Sequence, residues 1–201
     1  VMAVSFVTTE SPLGRLLLAS TDKNMIGCWF MGAKHFPPVP EERLRQAPFL
    51  SMPGVAAESC DCGCKGPRHA EDLQKIRQKK FPPTPPAVLL GAVMELGAYF
   101  QGTRTTFSLP MEPIGTPFQK SVWDYLRGIP LGESRTYAEA ARALGREKAV
   151  RAVGAAVGRN PLSIFIPCHR MLGSDGSLTG YAGGLNRKRA LLELEGVRLI
   201  L

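Results

Sequence analysis

The chain has 201 residues, 44% hydrophobic and 21% charged, the balance of an ordinary soluble globular protein large enough for one domain or two small ones. No apolar run approaches the length of a bilayer span, so no membrane-spanning helix is expected. The net charge is +8 and uneven: from Thr116 onward Lys and Arg number 13 against 7 Asp and Glu, so the second half carries most of the excess and points to a polyanionic partner, nucleic acid first.

The first thirty residues read as an antiparallel meander. Ala3–Thr8 alternates, Ser11-Pro12-Leu13-Gly14 turns, and Arg15–Ser20 and Met25–Phe30 form the next strands around a second turn at Thr21–Asn24. From about Val39 to Pro86 the composition shifts to Pro, Gly and charge. This stretch reads as a long surface excursion with one short polar helix over Ala70–Lys80. It also holds Cys60, Cys62, Cys64 and His69, which suggest zinc. The C-x-C-x-C rhythm lacks the C-x2-C spacing of structural zinc sites, so loosely ordered thiols are the reading and no metal is expected. Five cysteines and no N-terminal export signal favour free thiols in a reducing, cytoplasmic setting.

Ala87–Gln101 is predicted as a helix with Leu89, Leu90, Val93, Leu96 and Tyr99 or Phe100 on its apolar side. Leu109–Pro113 is a linker. These signals divide the chain into an N-terminal α/β domain over 1–110, with its insertion at 39–86, and a C-terminal domain over 111–201. Thr116-Pro117-Phe118-Gln119 and Thr136-Tyr137-Ala138-Glu139 are capping boxes that open helices running to about Arg127 and Gly145. A third helix, about Glu147–Val157, ends before Asn160-Pro161. With its predecessor it makes a helix-turn-helix candidate. A last helix, about Arg187–Glu195, is expected to be capped by Asn186.

The chemistry gathers at Pro167-Cys168-His169-Arg170, entered from the strand-like apolar run Leu162–Ile166. A thiol beside an imidazole, with Arg170 adding positive charge, asks to be read as an activated cysteine. Glu195 is placed to orient the imidazole as a third member. A cysteine hydrolase draws its Cys and His from distant segments, and adjacency argues against that class.

Taken together, Gly115–Gln119, Arg135–Tyr137, Lys148–Gly154, Asn160-Pro161, Pro167–Arg170, Gly180–Leu185 and Glu193–Gly196 resemble, in order, the motifs of the O6-alkylguanine-DNA alkyltransferases of bacterial type. The resemblance implies an α+β fold: a small N-terminal α/β domain with an RNase H-like antiparallel sheet, and a mostly helical C-terminal domain carrying the helix-turn-helix. It implies direct repair of DNA. The alkyl group of O6-alkylguanine, and of O4-alkylthymine, moves irreversibly to Cys168 after the damaged base is flipped from the duplex.

In that reading His169 is the base, acting through a water, and Glu195 hydrogen-bonds it. Tyr137 reaches the flipped base, and Asn160 braces the turn into the active-site segment. Arg151 is the finger that fills the space left by the base. Thr136, Tyr137, Ala149, Ala152 and Arg159 join it on the DNA, with the slim, alanine-rich third helix in the minor groove. Met171, Tyr181, Ala182, Gly183 and Val157 wall the guanine pocket, and the carbonyls of Cys168 and Met171 accept from the exocyclic amine. No cofactor and no membrane are implied, and the protein is a monomer acting on double-stranded DNA. Alkyltransferase-like proteins that bind damage without repairing it lack the acceptor cysteine; Cys168 disfavours that alternative.

Overall fold

The computed structural model describes residues 4–54 and 85–198. The helix expected over Ala70–Lys80 and the candidate ligands Cys60, Cys62, Cys64 and His69 lie outside the described residues.

The architecture is mixed α+β. Strands β1 (Ser5–Thr9), β2 (Leu16–Ser20) and β3 (Met25–Phe30) form an antiparallel sheet in the order β1-β2-β3. Every residue of β2 is buried, so the central strand is covered on both faces and loses the alternation of a half-exposed strand. Helix α1 (Glu41–Gln46) lies inside the stretch read as irregular, and it escaped the sequence reading because it buries no residue. The chain beyond it returns to the sheet: Thr8 N–H donates to Pro48 O at 2.8 Å and Leu50 N–H to Thr8 O at 2.8 Å. Helix α2 (Ala87–Phe100) packs on β2 and β1. Leu89, Ala92, Val93, Leu96 and Tyr99 form its buried stripe at helical spacing. Leu90, expected on that stripe, is instead 40% exposed on the opposite side.

Both capping boxes form. Thr116 Oγ1 accepts from Gln119 N–H and opens α3 (Pro117–Arg127); Thr136 Oγ1 accepts from Glu139 N–H and opens α4 (Tyr137–Ala143). A 3-10 turn, Glu147–Ala149, leads into α5 (Val150–Gly158), so the third helix is α-helical only from Val150. The buried indole of Trp123 donates to Ala156 O at 2.9 Å and fixes α3 against the end of α5.

Residues Leu162–Ile166 are not the strand their apolar run suggests. Pro161 and Ser163 hydrogen-bond Cys28 on the edge of β3, and the backbone then coils back, with Ile166 N–H on Leu162 O at 2.8 Å. Ile164 sits at φ 73°, a region that a β-branched residue rarely enters. Two-residue strands β4 (Arg135–Thr136) and β5 (Met171–Leu172) pair in parallel and bring the start of α4 beside the Cys168 segment. The last helix, α6 (Leu185–Leu194), starts one residue before Asn186; its N-cap is Gly184 at φ 91°, and no side chain caps it. That φ belongs to the region open to glycine, so the chain's reversal rather than an Asn side chain sets the start.

Among the described residues no helix is long and apolar enough to cross a membrane.

Candidate active site

Asn160 organises the segment that carries Cys168. Its Oδ1 accepts from Leu162 N–H at 3.0 Å, and its Nδ2 donates to Ile166 O at 2.8 Å and to Cys168 Sγ at 3.1 Å. One buried amide thus serves backbone groups that a strand would have paired, which is why the chain coils here. Cys168, His169 and Arg170 form a single 3-10 turn, with all three residues buried.

His169 is fully buried. Its Nε2–H donates to Glu195 Oε1 at 2.8 Å, and among the described residues Nδ1 has no hydrogen-bond partner. Glu195 is the C-cap of α6, so the helix end aims its carboxylate at the turn. Arg170 does not stand over the thiol, as its place in the sequence suggested. Its Nε and Nη2 donate to Glu195 Oε2 and Oε1 at 2.7 and 2.8 Å, and its Nη1 to Ile129 O at 2.5 Å. The guanidinium balances the carboxylate, and its fork geometry suits that task.

Burial pushes the Cys168 thiol up from its ordinary range; the Asn160 hydrogen bond and the Lys188 charge oppose it without prevailing. Burial likewise holds His169 below its usual value, against the pull of Glu195. The resting pair is therefore a thiol and a neutral imidazole. Burial alone would raise Glu195, but the hydrogen bonds from His169 and Arg170 outweigh it and hold the carboxyl at about 2. A fixed anion on Nε2–H leaves Nδ1 as the basic nitrogen.

Two participants escaped the sequence reading. Lys188 on α6 is fully buried, and its ammonium donates to the carbonyls of Met171 and Thr179. Burial, partly offset by the neighbouring Cys168, lowers its pKa to about 8. Its signal was the seven-residue interval to Glu195, two helical turns, which puts both on one face. The other is Tyr99, whose hydroxyl donates to Glu195 Oε1 at 2.8 Å; a tyrosine on an apolar helix stripe carries no mark of that partner.

The expected pocket residues gather around this centre. Tyr137, the first residue of α4, donates its hydroxyl to Gly180 O at 3.0 Å. Burial, then the nearby Cys168, pushes its phenol up to about 12. Tyr181, Ala182 and Gly183 form the half-buried loop beyond it, and a Cβ on Gly183 would stand 2.7 Å from the Tyr181 ring. Lys34 N–H holds this loop through Ala182 O at 2.9 Å. Met171 O already carries the Lys188 ammonium, and Cys168 O accepts from Met171 N–H. Each carbonyl keeps one lone pair for a further donor. Val157 is buried in the same apolar cluster as Cys168.

On α5, Arg151, Ala152 and Ala155 are exposed and Arg159 follows on the same side, with exposed Lys148 before them and Ala149 half-buried at the entry. Thr136 spends its side chain on the α4 cap. The result is a thin helix face of small residues edged by cations, on the helix that ends ten residues before the buried thiol.

Residues 117–197 match the family model described as the 6-O-methylguanine DNA methyltransferase DNA binding domain. The methylated-DNA–protein-cysteine methyltransferase of Methanosarcina barkeri is 42% identical over 187 residues, 92% of this chain and 93% of that one. That of Mycobacterium tuberculosis is 53% identical over 113 residues, 56% of this chain and 68% of its own. The crystal structure of a Mycobacterium tuberculosis O6-methylguanine methyltransferase superposes with a TM-score of 0.67 at 36% identity, covering 96% of this chain and 93% of that one. The crystal structure of the Mycobacterium tuberculosis OGT in complex with DNA does so with a TM-score of 0.68 at 35% identity, covering 95% and 92%.

Proposed function

The chain belongs to the methylated-DNA–protein-cysteine methyltransferases, and from that premise we propose how its own residues carry out alkyl transfer from DNA. The protein repairs DNA by moving the alkyl group of O6-alkylguanine onto one of its cysteines. We assign that cysteine as Cys168. The observation that carries the assignment is the single buried 3-10 turn in which Cys168 Sγ accepts from Asn160 while its neighbour His169 is tied to Glu195.

Transfer needs a thiolate, and burial keeps Cys168 protonated at rest. His169 takes the thiol proton on Nδ1 through one water, and Glu195 stabilises the imidazolium that forms. Asn160 Nδ2 and the Lys188 charge favour the thiolate once formed. The sulfur then attacks the alkyl carbon in line. A C–S bond forms, the C–O6 bond breaks, and its electron pair leaves with the purine. The proton removed from the thiol returns to the purine side, where the Tyr137 hydroxyl hydrogen-bonds the departing base, so the products are S-alkylcysteine and unmodified guanine. Among the described residues nothing is placed to hydrolyse a thioether, and each molecule acts once.

The thin face of α5 supports docking in the minor groove of duplex DNA, with Arg151 entering the stack where the base has left and Lys148 and Arg159 on the phosphates. We take residues 111–201 as the DNA-binding and transfer unit. A cytoplasmic, monomeric protein fits the acceptor's need to remain a free thiol; Cys28 and Cys168 are both unpaired.

The test is a duplex oligonucleotide carrying O6-methylguanine. One methyl gained on the peptide containing Cys168, absent in Cys168→Ala although that variant still binds DNA, is the expected result. Tight binding with no mass gain would instead place the chain with non-catalytic damage binders.

A further inference from the structure

Glu195 Oε1 is shared by three donors, and one of them comes from the N-terminal half of the chain. Tyr99 on α2, 96 residues away, donates at 2.8 Å; His169 Nε2 and Arg170 Nη2 donate to the same oxygen at 2.8 Å each. The aim of the Tyr99 hydroxyl is built into the packing. Its ring lies 5.3 Å from Phe100 and 5.6 Å from Phe107, and Phe107 lies 4.6 Å from Phe165, in the turn that Asn160 braces. Tyr99 is 3% exposed. A ring that only filled this space would do so better as Phe, because a buried hydroxyl costs free energy unless it is bonded.

We propose that Tyr99 is a positioning residue for alkyl transfer, fixing the orientation and damping the basicity of the carboxylate on which His169 depends. This rests on reading Cys168 and His169 as acceptor and base. Among the described residues the charged groups acting on His169 are Glu195 from the end of α6, Arg170 from its own turn and Lys188 from α6. The two cations disfavour imidazolium and Glu195 favours it. Tyr99 itself stays a neutral donor, because burial and the adjacent Glu195 push its phenol up. Each hydrogen bond to Oε1 draws charge from the carboxylate. Removing the Tyr99 bond therefore leaves Glu195 a stronger partner for imidazolium, and His169 keeps its proton to higher pH.

The experiment uses the full chain with Tyr99→Phe. The His169 ring is titrated by NMR, and the single-turnover rate of methyl transfer from the O6-methylguanine duplex is measured from pH 5.5 to 9. We expect the His169 midpoint and the acid limb of the rate profile to move up together by about half to one pH unit, with the plateau within about threefold of wild type. Incorporating a difluorotyrosine at position 99 keeps the ring and hydroxyl but strengthens the donor; it should move both midpoints down, which covers the case of Tyr99→Phe failing to fold. Midpoints unmoved within 0.2 pH unit, whatever happens to the plateau, would leave Tyr99 a packing residue and overturn the proposal. If the wild type transfers no methyl to Cys168, the assignment of the acceptor falls, while the NMR titration still decides the role of Tyr99.

Discussion

Replacing Glu195 with Gln removes one charge from a site where nothing else can supply it. The carboxylate side chain is 1% exposed and accepts from His169, from Arg170 twice and from Tyr99. Its carboxyl is held at about 2 in the fold against an ordinary 4.5, a difference that contributes about 3 kcal/mol to stability at neutral pH. The sign follows from the direction. A depressed folded pKa means the contribution is fully present above about pH 4.5 and is lost as pH falls toward 2. Glu195→Gln leaves the buried Arg170 guanidinium without its counter-charge, an arrangement that costs about 3–5 kcal/mol when a partner is removed. Urea denaturation at pH 7 should show a loss of about 3 kcal/mol for the variant. Repeated downward from pH 4.5, it should show the gap closing as wild-type Glu195 takes up its proton. A variant within about 1 kcal/mol of wild type at pH 7, or two curves that stay parallel to pH 2.5, would refute the reasoning, since either means the charge is not coupled to folding.

Other expectations follow from the same geometry. Lys188→Met removes the cation that opposes the burial of Cys168, so the thiol should rise further. The rate of iodoacetamide addition to the Cys168 peptide at pH 8, read by mass, should fall about tenfold, and an unchanged rate would remove Lys188 from the thiolate's surroundings. Arg151→Ala should slow transfer from duplex DNA by about one to two orders of magnitude while transfer from the same lesion in a single strand changes little, because only the duplex requires a base to be flipped; equal losses on both substrates would argue that Arg151 acts on phosphates alone.

Local signals were legible in the sequence because their physics is local. A capping box closes within three residues, so Thr116 with Gln119 and Thr136 with Glu139 announced α3 and α4 without reference to the rest of the chain. The adjacency of Cys168 and His169 and the order of motifs around them likewise pointed to an acceptor thiol. The same local logic misled at Leu162–Ile166. An apolar run reads as a strand, but a side-chain amide from Asn160 satisfied the backbone and the segment coiled instead. Leu90 and the missed α1 show the related limit, since burial decides a helix face and α1 buries none of its residues.

What only the tertiary structure decided is the pairing of charges. Arg170 reads as a cation for the thiolate two residues away, yet it turns to Glu195, 25 residues on, where a guanidinium fork meets both oxygens of a carboxylate. Tyr99 carried no mark of function, and Lys188 only its two-turn spacing from Glu195, until folding buried them 96 and 17 residues from their partners. A buried charge or hydroxyl must find a partner wherever the packing offers one, and sequence distance has no weight in that choice. The amino-acid sequence by itself singled out Cys168 as the proposed acceptor and α5 as the helix proposed to meet DNA, because both are marked by residues close together in the chain. The fold determined that burial holds this thiol neutral at rest, and that Glu195, Arg170 and Lys188 are the charges set around His169.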